Sequence, residues 1–306
     1  MDDLVIQVQD FRKVYGDFTA VDEISFEVHQ GEIFGLLGPN GAGKTTTLEC
    51  LEGLRQPDQG SLRILGIDPA RQPRRLRDLI GVQLQSSALP ANMTVWEAMQ
   101  FFCAYHRVKP RKDLLERFGL GEKKKTQFRM LSTGQQCRLA LALAIAHNPH
   151  LILLDEPTAG LDVPARVELH ELMRQLQSDG TTIILATHDM AEAEKMSSRV
   201  AILLKGKIAA TGTPTQLTAE GGGLVKISVA SETSCLAQNG HGFPGVRQHR
   251  FEEGYALYFS DDPGPTVSSI LDYLKSHQDR LADLRVERPS LEERFLEITQ
   301  TNGGLK

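Results

Sequence analysis

The sequence predicts an α/β fold, in which a mostly parallel β-sheet carries helices on both faces and a small α+β domain follows. Three observations predict it. Short, almost wholly apolar runs are typical of strands buried on both faces of a parallel sheet, and they occupy residues 32 to 37, 151 to 154 and 181 to 186. Helical patterns separate these runs along the chain. At 306 residues, the chain also has room for a second, smaller domain.

The first elements lead into a glycine-rich turn. Residues 5 to 8 and 24 to 28 partly alternate between apolar and polar side chains, which predicts two strands. The buried strand at residues 32 to 37 follows them, and residues 45 to 54 have the pattern of a helix. The glycine-rich turn therefore lies between a buried strand and a helix.

A helical insert is predicted at about residues 86 to 150. Apolar side chains at helical spacing form one face of it, and we interpret them as core packing in preference to a docking surface. They are Trp96, Met99, Phe101, Phe102 and Tyr105. A buried helix at residues 139 to 146 continues the insert, and the short strand at residues 151 to 154 follows it.

The rest of the chain divides at a run of glycines. An amphipathic helix at residues 163 to 179 ends at Gly180. Successive glycines disfavour any regular element, so residues 221 to 223 are predicted as a linker between a domain at residues 1 to 220 and one at residues 224 to 306. The second domain is predicted to hold strands at residues 224 to 230, 255 to 260 and 284 to 287, with helices at 266 to 276 and 291 to 299.

Composition excludes several classes of protein. A formal charge of −5 gives no general attraction to nucleic acid, and we expect no such partner. The four cysteines form no Cys-x-x-Cys pair, which argues against a zinc site or a disulfide framework and fits a reducing cytosol. No apolar run approaches the ~18 residues that span a bilayer, and the start lacks the pattern of a secretory signal. We therefore expect a chain that does not cross a membrane.

Residues 38 to 45 match the phosphate-loop pattern G-x-x-x-x-G-K-[ST] in the context that phosphate binding requires. The glycines let backbone N–H groups surround anionic phosphates, and the start of the following helix adds partial positive charge. Lys44 would neutralise the β- and γ-phosphates, and Thr45 would ligate Mg²⁺. The sequence thus predicts a nucleoside triphosphate site.

An acidic pair follows the apolar strand at residues 151 to 154. Asp155 stands where a phosphoryl-transfer site needs a carboxylate for hydrated Mg²⁺, and Glu156 is placed to polarise a water for in-line attack. Alone, two acids at a strand end would more often cap a helix. Together with the phosphate loop they favour the catalytic interpretation.

Residues 131 to 136, Leu-Ser-Thr-Gly-Gln-Gln, resemble the signature sequence of ATP-binding cassette (ABC) ATPases. The resemblance covers about residues 4 to 220, because other family elements fall in the expected order: Tyr15, Gln85, Asp162 and His188. One departure is Thr133, where the commonest family pattern has Gly. Ser132 and Gly134, the signature residues expected to touch phosphate, are present.

The resemblance implies a head-to-tail dimer, with a second copy or a paralogous ATPase subunit, that holds two ATP molecules between its subunits. In each site one subunit would supply Tyr15 to stack on adenine, Gln85 to reach Mg²⁺ and the attacking water, and His188 to contact the γ-phosphate. The other would supply Ser132, Gly134 and Gln135 at a helix N-terminus. The remaining nucleotide-binding residues implied are Asn40, Gly41, Ala42, Gly43, Lys44, Thr45, Thr46 and Asp162.

Local alternatives remain open for four of these residues. Tyr15 also fits an ordinary turn aromatic, and Gln83 rivals Gln85 for its role. His188 fits a cap at a strand end, and Asp162 fits the N-cap of the helix at residues 163 to 179. Their order along the chain favours the family roles.

The end of the chain resembles a narrower group. Residues 288 to 296 are similar to the closing motif of ATPase subunits of type-2 ABC exporters, which include drug-resistance and polysaccharide or lipid exporters. From the residues alone, Ser290 and Glu293 form a capping box at the start of a helix. One apolar stripe of that helix is predicted to pack, and it consists of Leu291, Phe295 and Ile298.

Together the resemblances imply a Mg²⁺-dependent ATPase that drives a separately encoded transmembrane permease from the cytoplasmic face of the cell membrane. The permease is expected to bind near the loop after Gln85. The rival class is an ABC-type ATPase that acts on nucleic acid or ribosomes, but Lys44 and Ser132 are too close in sequence to enclose the long coiled coil of the DNA-repair relatives. A regulatory cassette without hydrolysis is disfavoured because Glu156 and His188 are both present.

Overall fold

The computed structural model describes residues 4 to 85, 89 to 220, 224 to 237 and 242 to 301. The chain divides into two units, Met1–Thr213 and Pro214–Lys306. The glycines predicted as a linker, residues 221 to 223, lie outside the described residues. The division between the units comes before them, so the helix Pro214–Glu220 belongs to the second unit and not to the first, where the sequence had placed it.

The first unit contains nine strands and seven α-helices within the described residues. In chain order they are β1 (Leu4–Tyr15), β2 (Phe18–His29), β3 (Ile33–Leu37), α1 (Lys44–Leu51), β4 (Gln59–Ile64), α2 (Pro73–Arg77), β5 (Ile80–Gln83), α3 (Val95–Tyr105), α4 (Lys112–Arg117), α5 (Thr133–Ala144), β6 (Leu151–Asp155), α6 (Val163–Ser178), β7 (Thr182–Thr187), α7 (Met190–Met196), β8 (Arg199–Leu204) and β9 (Lys207–Gly212).

A six-stranded sheet in the order β5-β6-β7-β3-β8-β9 forms the centre of this unit. All neighbours pair in parallel except β8 and β9, so the predicted mostly parallel sheet is confirmed. Alternate side chains of one strand enter different cores, since successive Cβ atoms point to opposite faces. Ile152 and Leu154 of β6 join the core that includes α3 to α6, whereas Leu151 and Leu153 join the core that includes β1 and β2. This double burial explains the unbroken apolar run of β6.

A second, antiparallel sheet in the order β2-β1-β4 was not predicted. Two of its strands extend well beyond the predicted runs at residues 5 to 8 and 24 to 28. At the far end of β1, Arg12, Lys13, Val14 and Tyr15 are half-buried or exposed and do not alternate between apolar and polar side chains. The pairing of β1 with β2 on one side and β4 on the other determines their length instead.

The helical insert buries only part of its predicted apolar face. Met99 of α3 is fully buried, and Trp96 and Phe102 pack against the same core. Phe101 and Tyr105 are exposed, so the interpretation of these two side chains as core packing was wrong. The helix buries the stripe that contains Val95, Ala98, Met99 and Cys103, and residues 101 and 105, one turn apart, lie outside that stripe.

The second unit is a small α+β domain. Its elements are α8 (Pro214–Glu220), β10 (Val225–Ser231), β11 (Val246–Glu252), β12 (Tyr255–Ser260), α9 (Pro263–Ser276), β13 (Leu281–Glu287) and α10 (Leu291–Thr301). The strands form an antiparallel sheet in the order β11-β12-β10-β13, and Ile270 and Leu274 of α9 share its core with Ile227 and Val229. β11 was not predicted because its residues are mostly exposed and show no apolar period.

Ser290 and Glu293 form the predicted capping box before α10, with Glu293 N–H donating to Ser290 Oγ over 3.2 Å and Ser290 N–H donating to the Glu293 carboxylate over 3.1 Å. Among the described residues, no helix is both long and apolar enough to cross a bilayer.

Candidate active site

The phosphate loop connects β3 to α1, so the predicted order of buried strand, glycine turn and helix is confirmed. Gly43 stands directly before α1 with φ of 107°. A side chain there would place its Cβ 2.6 Å from the carbonyl oxygen of Ala20, and a positive φ disfavours any L side chain. The turn that opens the loop toward a ligand therefore requires glycine at this position.

Lys44 lies within the loop with its ammonium surrounded by oxygen atoms. The side chain is 5% exposed, and Nζ donates to the carbonyl oxygens of Gly38 over 2.7 Å and Pro39 over 3.2 Å. Oε1 of Glu156 lies 3.3 Å from the same nitrogen. The structure thus brings the predicted phosphate-binding lysine and the predicted catalytic carboxylate into one ion pair.

Asp155 ends β6 with one carboxylate oxygen paired and one unpaired. Oδ2 accepts a hydrogen bond of 3.0 Å from the Thr45 hydroxyl, whereas Oδ1 is buried and has no hydrogen-bond partner in the described part of the chain. The pKa of Asp155 is raised above its ordinary value, chiefly by burial, with a further increase from the nearby charge of Glu156. The hydrogen bond from Thr45 offsets part of this increase. A buried carboxylate oxygen without a donor is unfavourable, and a hard cation would satisfy it.

The donors near Asp155 fit Mg²⁺ by their chemistry, since Mg²⁺ prefers oxygen ligands and is commonly held by one or two carboxylates plus phosphate oxygens. Asp155 and Thr45 provide a carboxylate and a hydroxyl within hydrogen-bond distance of each other. The described residues include no group of three His, Cys, Asp or Glu side chains arranged to hold a metal ion. Phosphate oxygens and water molecules commonly supply the remaining ligands of Mg²⁺ at such a site.

A pocket of about 360 Å³ opens above the phosphate loop. The described residues that line it are Phe18, Ala20, Pro39, Asn40, Gly41, Gly43, Lys44, Thr45, Thr46, Gln85 and Glu156. Gln85 is therefore at the pocket, whereas its rival Gln83 is buried within β5 with its Oε1 atom unpaired among the described residues. Ala42 is buried behind the loop.

The aromatic residue at this pocket is Phe18, which the sequence reasoning missed. Phe18 is 62% exposed and lies directly after the turn between β1 and β2. Its closeness in sequence to Tyr15, the aromatic considered for adenine, was the signal that could have identified it. Tyr15 does not line the pocket. Its ring instead has two cations within reach, Lys13 Nζ at 5.5 Å and the Arg55 guanidinium at 5.3 Å from the ring centre.

Glu156 has a left-handed backbone, with φ of 51°, which is unfavourable for a residue with a side chain. Its N–H donates to the carbonyl oxygen of Ala186 in β7 over 2.9 Å. One carboxylate oxygen faces Lys44, and Nδ1–H of His188 donates to the other. The three predicted residues Lys44, Glu156 and His188 are thus in a continuous chain of contacts at the carboxyl ends of the parallel strands.

The signature residues lie at the start of α5 and do not line this pocket. Oγ of Ser132 accepts from the N–H of Gln135 over 3.3 Å, and Oε1 of Gln135 accepts from the N–H of Ser132 over 3.1 Å, which makes a capping box. A Cβ at Gly134 would lie 2.8 Å from Cβ of Ala165, so glycine also permits the close approach of α5 and α6. Thr133 is the first helical residue, a position that needs no glycine.

The structure confirms the local alternative for Asp162, the N-cap of α6. It caps α6, with its carboxylate accepting a 2.9 Å hydrogen bond from the N–H of Ala165. The side chain is exposed at the end of the loop that follows Glu156, and it is not among the described residues that line the phosphate pocket.

Comparison with known proteins identifies the family. A family model described as ABC transporter matches residues 21 to 159. The Nod factor export ATP-binding protein I of Ralstonia nicotianae is 35% identical over an alignment that covers 96% of this chain and 94% of that protein. A linearmycin resistance ATP-binding protein of Bacillus subtilis is 31% identical, with 96% and 98% covered.

A solved structure of an ATP binding subunit of an ABC transporter agrees with the fold. It is 28% identical, covers 71% of this chain and 93% of its own, and superposes with a TM-score of 0.66. The predicted resemblance to the ATPases of type-2 exporters is confirmed by these relatives. The chain therefore belongs to the ABC transporter family, as an ATP-binding and ATP-hydrolysing subunit of its exporter-type members.

Proposed function

We propose that this chain works as a head-to-tail pair, with a second copy or a paralogous ATPase subunit, that encloses two ATP molecules. The proposal rests on the phosphate pocket, to which the signature residues of the same chain do not contribute. The described residues of its lining come from the phosphate loop, Gln85, Glu156 and the β1–β2 hairpin, and they do not include Ser132 or Gly134. Ser132 is exposed at the start of the 12-residue helix α5, where unpaired backbone N–H groups favour an anion.

Lys44 and Glu156 exchange partners in the proposed reaction. The γ-phosphate would compete with Glu156 for the Lys44 ammonium, since a phosphate carries more charge than one carboxylate. Glu156 would then be free to accept a proton from the attacking water. His188 would hold the Glu156 carboxylate in place through the hydrogen bond described above. His188 is half-exposed, so it is also accessible to the phosphate itself.

Thr45 and Asp155 would hold Mg²⁺, with Gln85 reaching both the metal and the water. Mg²⁺, when bound, neutralises charge on the β- and γ-phosphates. The unpaired Oδ1 of Asp155 supports this assignment. For the adenine we propose Tyr15, as the family resemblance implies, with Phe18 as a second candidate because it lines the pocket.

The mechanical output of the pair would go to a separately encoded transmembrane permease, with this chain bound at the cytoplasmic face of the membrane. The relatives named above function in Nod factor export and linearmycin resistance, which supports export. We propose that the permease contacts the helical insert near the loop after Gln85. The exposed aromatic rings of Phe101 and Tyr105 support a docking surface on α3 of that insert.

A mixing experiment tests whether the site is shared. Lys44→Ala damages the phosphate loop and Ser132→Arg damages the signature, so a mixed dimer has one doubly damaged site and one intact site. We expect each variant alone to be nearly inactive and the mixture to recover part of the ATPase activity. Differently tagged chains would establish that mixed dimers form. If mixed dimers form and no ATPase activity is recovered, the site is not shared between chains.

Purification tests the membrane partner. We expect a tagged chain, extracted gently with detergent from its native host, to bring a membrane protein with many spans with it. Phe101→Ser combined with Tyr105→Ser should reduce that recovery several-fold without changing ATP affinity, because neither ring is among the described residues that line the phosphate pocket. Equal recovery with the double variant would place the docking surface elsewhere, and no membrane protein above an untagged control would oppose the proposed partner.

A further inference from the structure

A buried carboxylate below the catalytic loop has two hydrogen-bond donors. Glu192 of α7 is 2% exposed, and its Oε1 accepts from the Thr158 hydroxyl over 2.8 Å and from Nε2–H of His170 over 2.9 Å. Thr158 is 5% and His170 3% exposed. A carboxylate removed from water needs such partners, so this cluster holds its three side chains in one arrangement.

The cluster connects the two segments that carry Glu156 and His188. Thr158 lies two residues after Glu156, in the loop between β6 and α6. Glu192 lies in the first turn of α7, the helix that begins just after His188. The two segments are therefore joined twice, once by the Glu156 and His188 side chains and once by the Thr158 and Glu192 side chains.

Helix α6 fixes α7 at two points. His170 holds Glu192, and one helical turn earlier NH1 of Arg166 lies 3.2 Å from the carboxylate of Asp189. Asp189 caps α7, with its carboxylate accepting a 2.9 Å bond from the N–H of Glu192. Side chains of α6 thus help to fix α7, the helix that directly follows the segment carrying His188.

Glu156 needs such support because its backbone is left-handed. An unfavourable φ persists only where the surrounding contacts hold it. Beyond Glu156 the chain turns, with the N–H of Ala159 donating to its carbonyl oxygen over 3.1 Å and the N–H of Leu161 donating to that of Thr158 over 3.1 Å. The Thr158 hydroxyl is the side-chain anchor of this turn to α7.

We propose that Glu192 is a positioning residue for ATP hydrolysis, which acts through Thr158 on the loop that carries Glu156 and is itself oriented by His170. The inference rests on the proposed role of Glu156. Glu192 does not line the phosphate pocket, so it acts on the geometry of hydrolysis and not on ATP binding. Displacement of a catalytic group by about 1 Å can cost on the order of 100-fold in rate.

Paired substitutions separate the hydrogen bonds from the volume of the side chains. We expect Thr158→Val and Glu192→Met, which remove a donor or the acceptor at similar size, to lower kcat by about 10-fold or more with unchanged ATP affinity. Thr158→Ser and Glu192→Gln keep the bonding atoms and should retain most of the rate. Glu171→Gln, exposed on α6 beside His170, serves as the control. A wild-type kcat in Thr158→Val would overturn the proposal.

A double-mutant cycle with Glu156→Gln distinguishes positioning from a general structural role. If Glu192 acts through Glu156, Thr158→Val should add no further loss once Glu156 is already replaced. An additive loss would overturn the inference. Thermal unfolding checks each variant, and the isosteric Thr158→Val decides the result where Glu192→Met does not fold. A wild-type rate in Glu156→Gln alone would instead refute the proposed role of Glu156.

Discussion

Replacing Glu156 by Gln should leave Mg-ATP bound while lowering the rate of hydrolysis by about 100-fold or more, the scale of losing a general base. The amide keeps the size and shape of the side chain, but only its oxygen can accept, so it keeps one of the two contacts that the carboxylate makes with Lys44 and His188. An amide cannot accept the proton of the attacking water. Nucleotide contacts assigned to Lys44, Thr45 and Asp155 remain.

The measurement is phosphate release under single-turnover conditions, together with ATP affinity by calorimetry. Glu171→Gln provides the same chemical change on the exposed surface of α6 and should hydrolyse ATP at the wild-type rate. If Glu156→Gln hydrolyses ATP as fast as the unaltered chain, the role given to Glu156 is wrong.

Lys44→Ala should weaken ATP binding by about 10- to 100-fold, the equivalent of one hydrogen bond to a charged group. The substitution removes the ammonium that the loop directs at the phosphates. It also leaves Glu156 without its cation 3.3 Å away, so a carboxylate would face the γ-phosphate without compensation. Both effects act in the same direction.

Calorimetry with Mg²⁺ present measures this loss, and circular dichroism checks that the chain still folds. Lys275→Ala, on an exposed part of α9, is the matched loss of one positive charge and should bind ATP normally. Wild-type affinity in Lys44→Ala would show that the phosphates bind elsewhere.

Residues close in sequence were the most predictable part of the site. The phosphate loop, the carboxylates after β6 and the cap at Asp162 each depend on neighbours within a few positions, and pattern alone located them. The capping box at Ser132 was equally accessible, since Ser followed by Gln three residues later is its usual pattern. It was missed because Ser132 was considered only as a phosphate ligand.

Contacts between distant segments could not be predicted in this way. The ion pair of Lys44 with Glu156 and the hydrogen bond of Thr158 with Glu192 depend on the pairing of β3, β6 and β7, which no local pattern encodes. The same holds for the antiparallel sheet of β1, β2 and β4. Exposed strands such as β11 lack the apolar period on which the prediction relied.

If two chains pair around ATP, the mass of Glu156→Gln in solution will double when the nucleotide binds. Light scattering during size-exclusion chromatography would be recorded with and without Mg-ATP, and with Lys44→Ala added to the same chain as the control. We expect the mass of one chain without nucleotide, twice that mass with Mg-ATP, and no change in the Lys44→Ala control. A Glu156→Gln chain that binds Mg-ATP yet keeps the mass of a single chain would contradict this pairing.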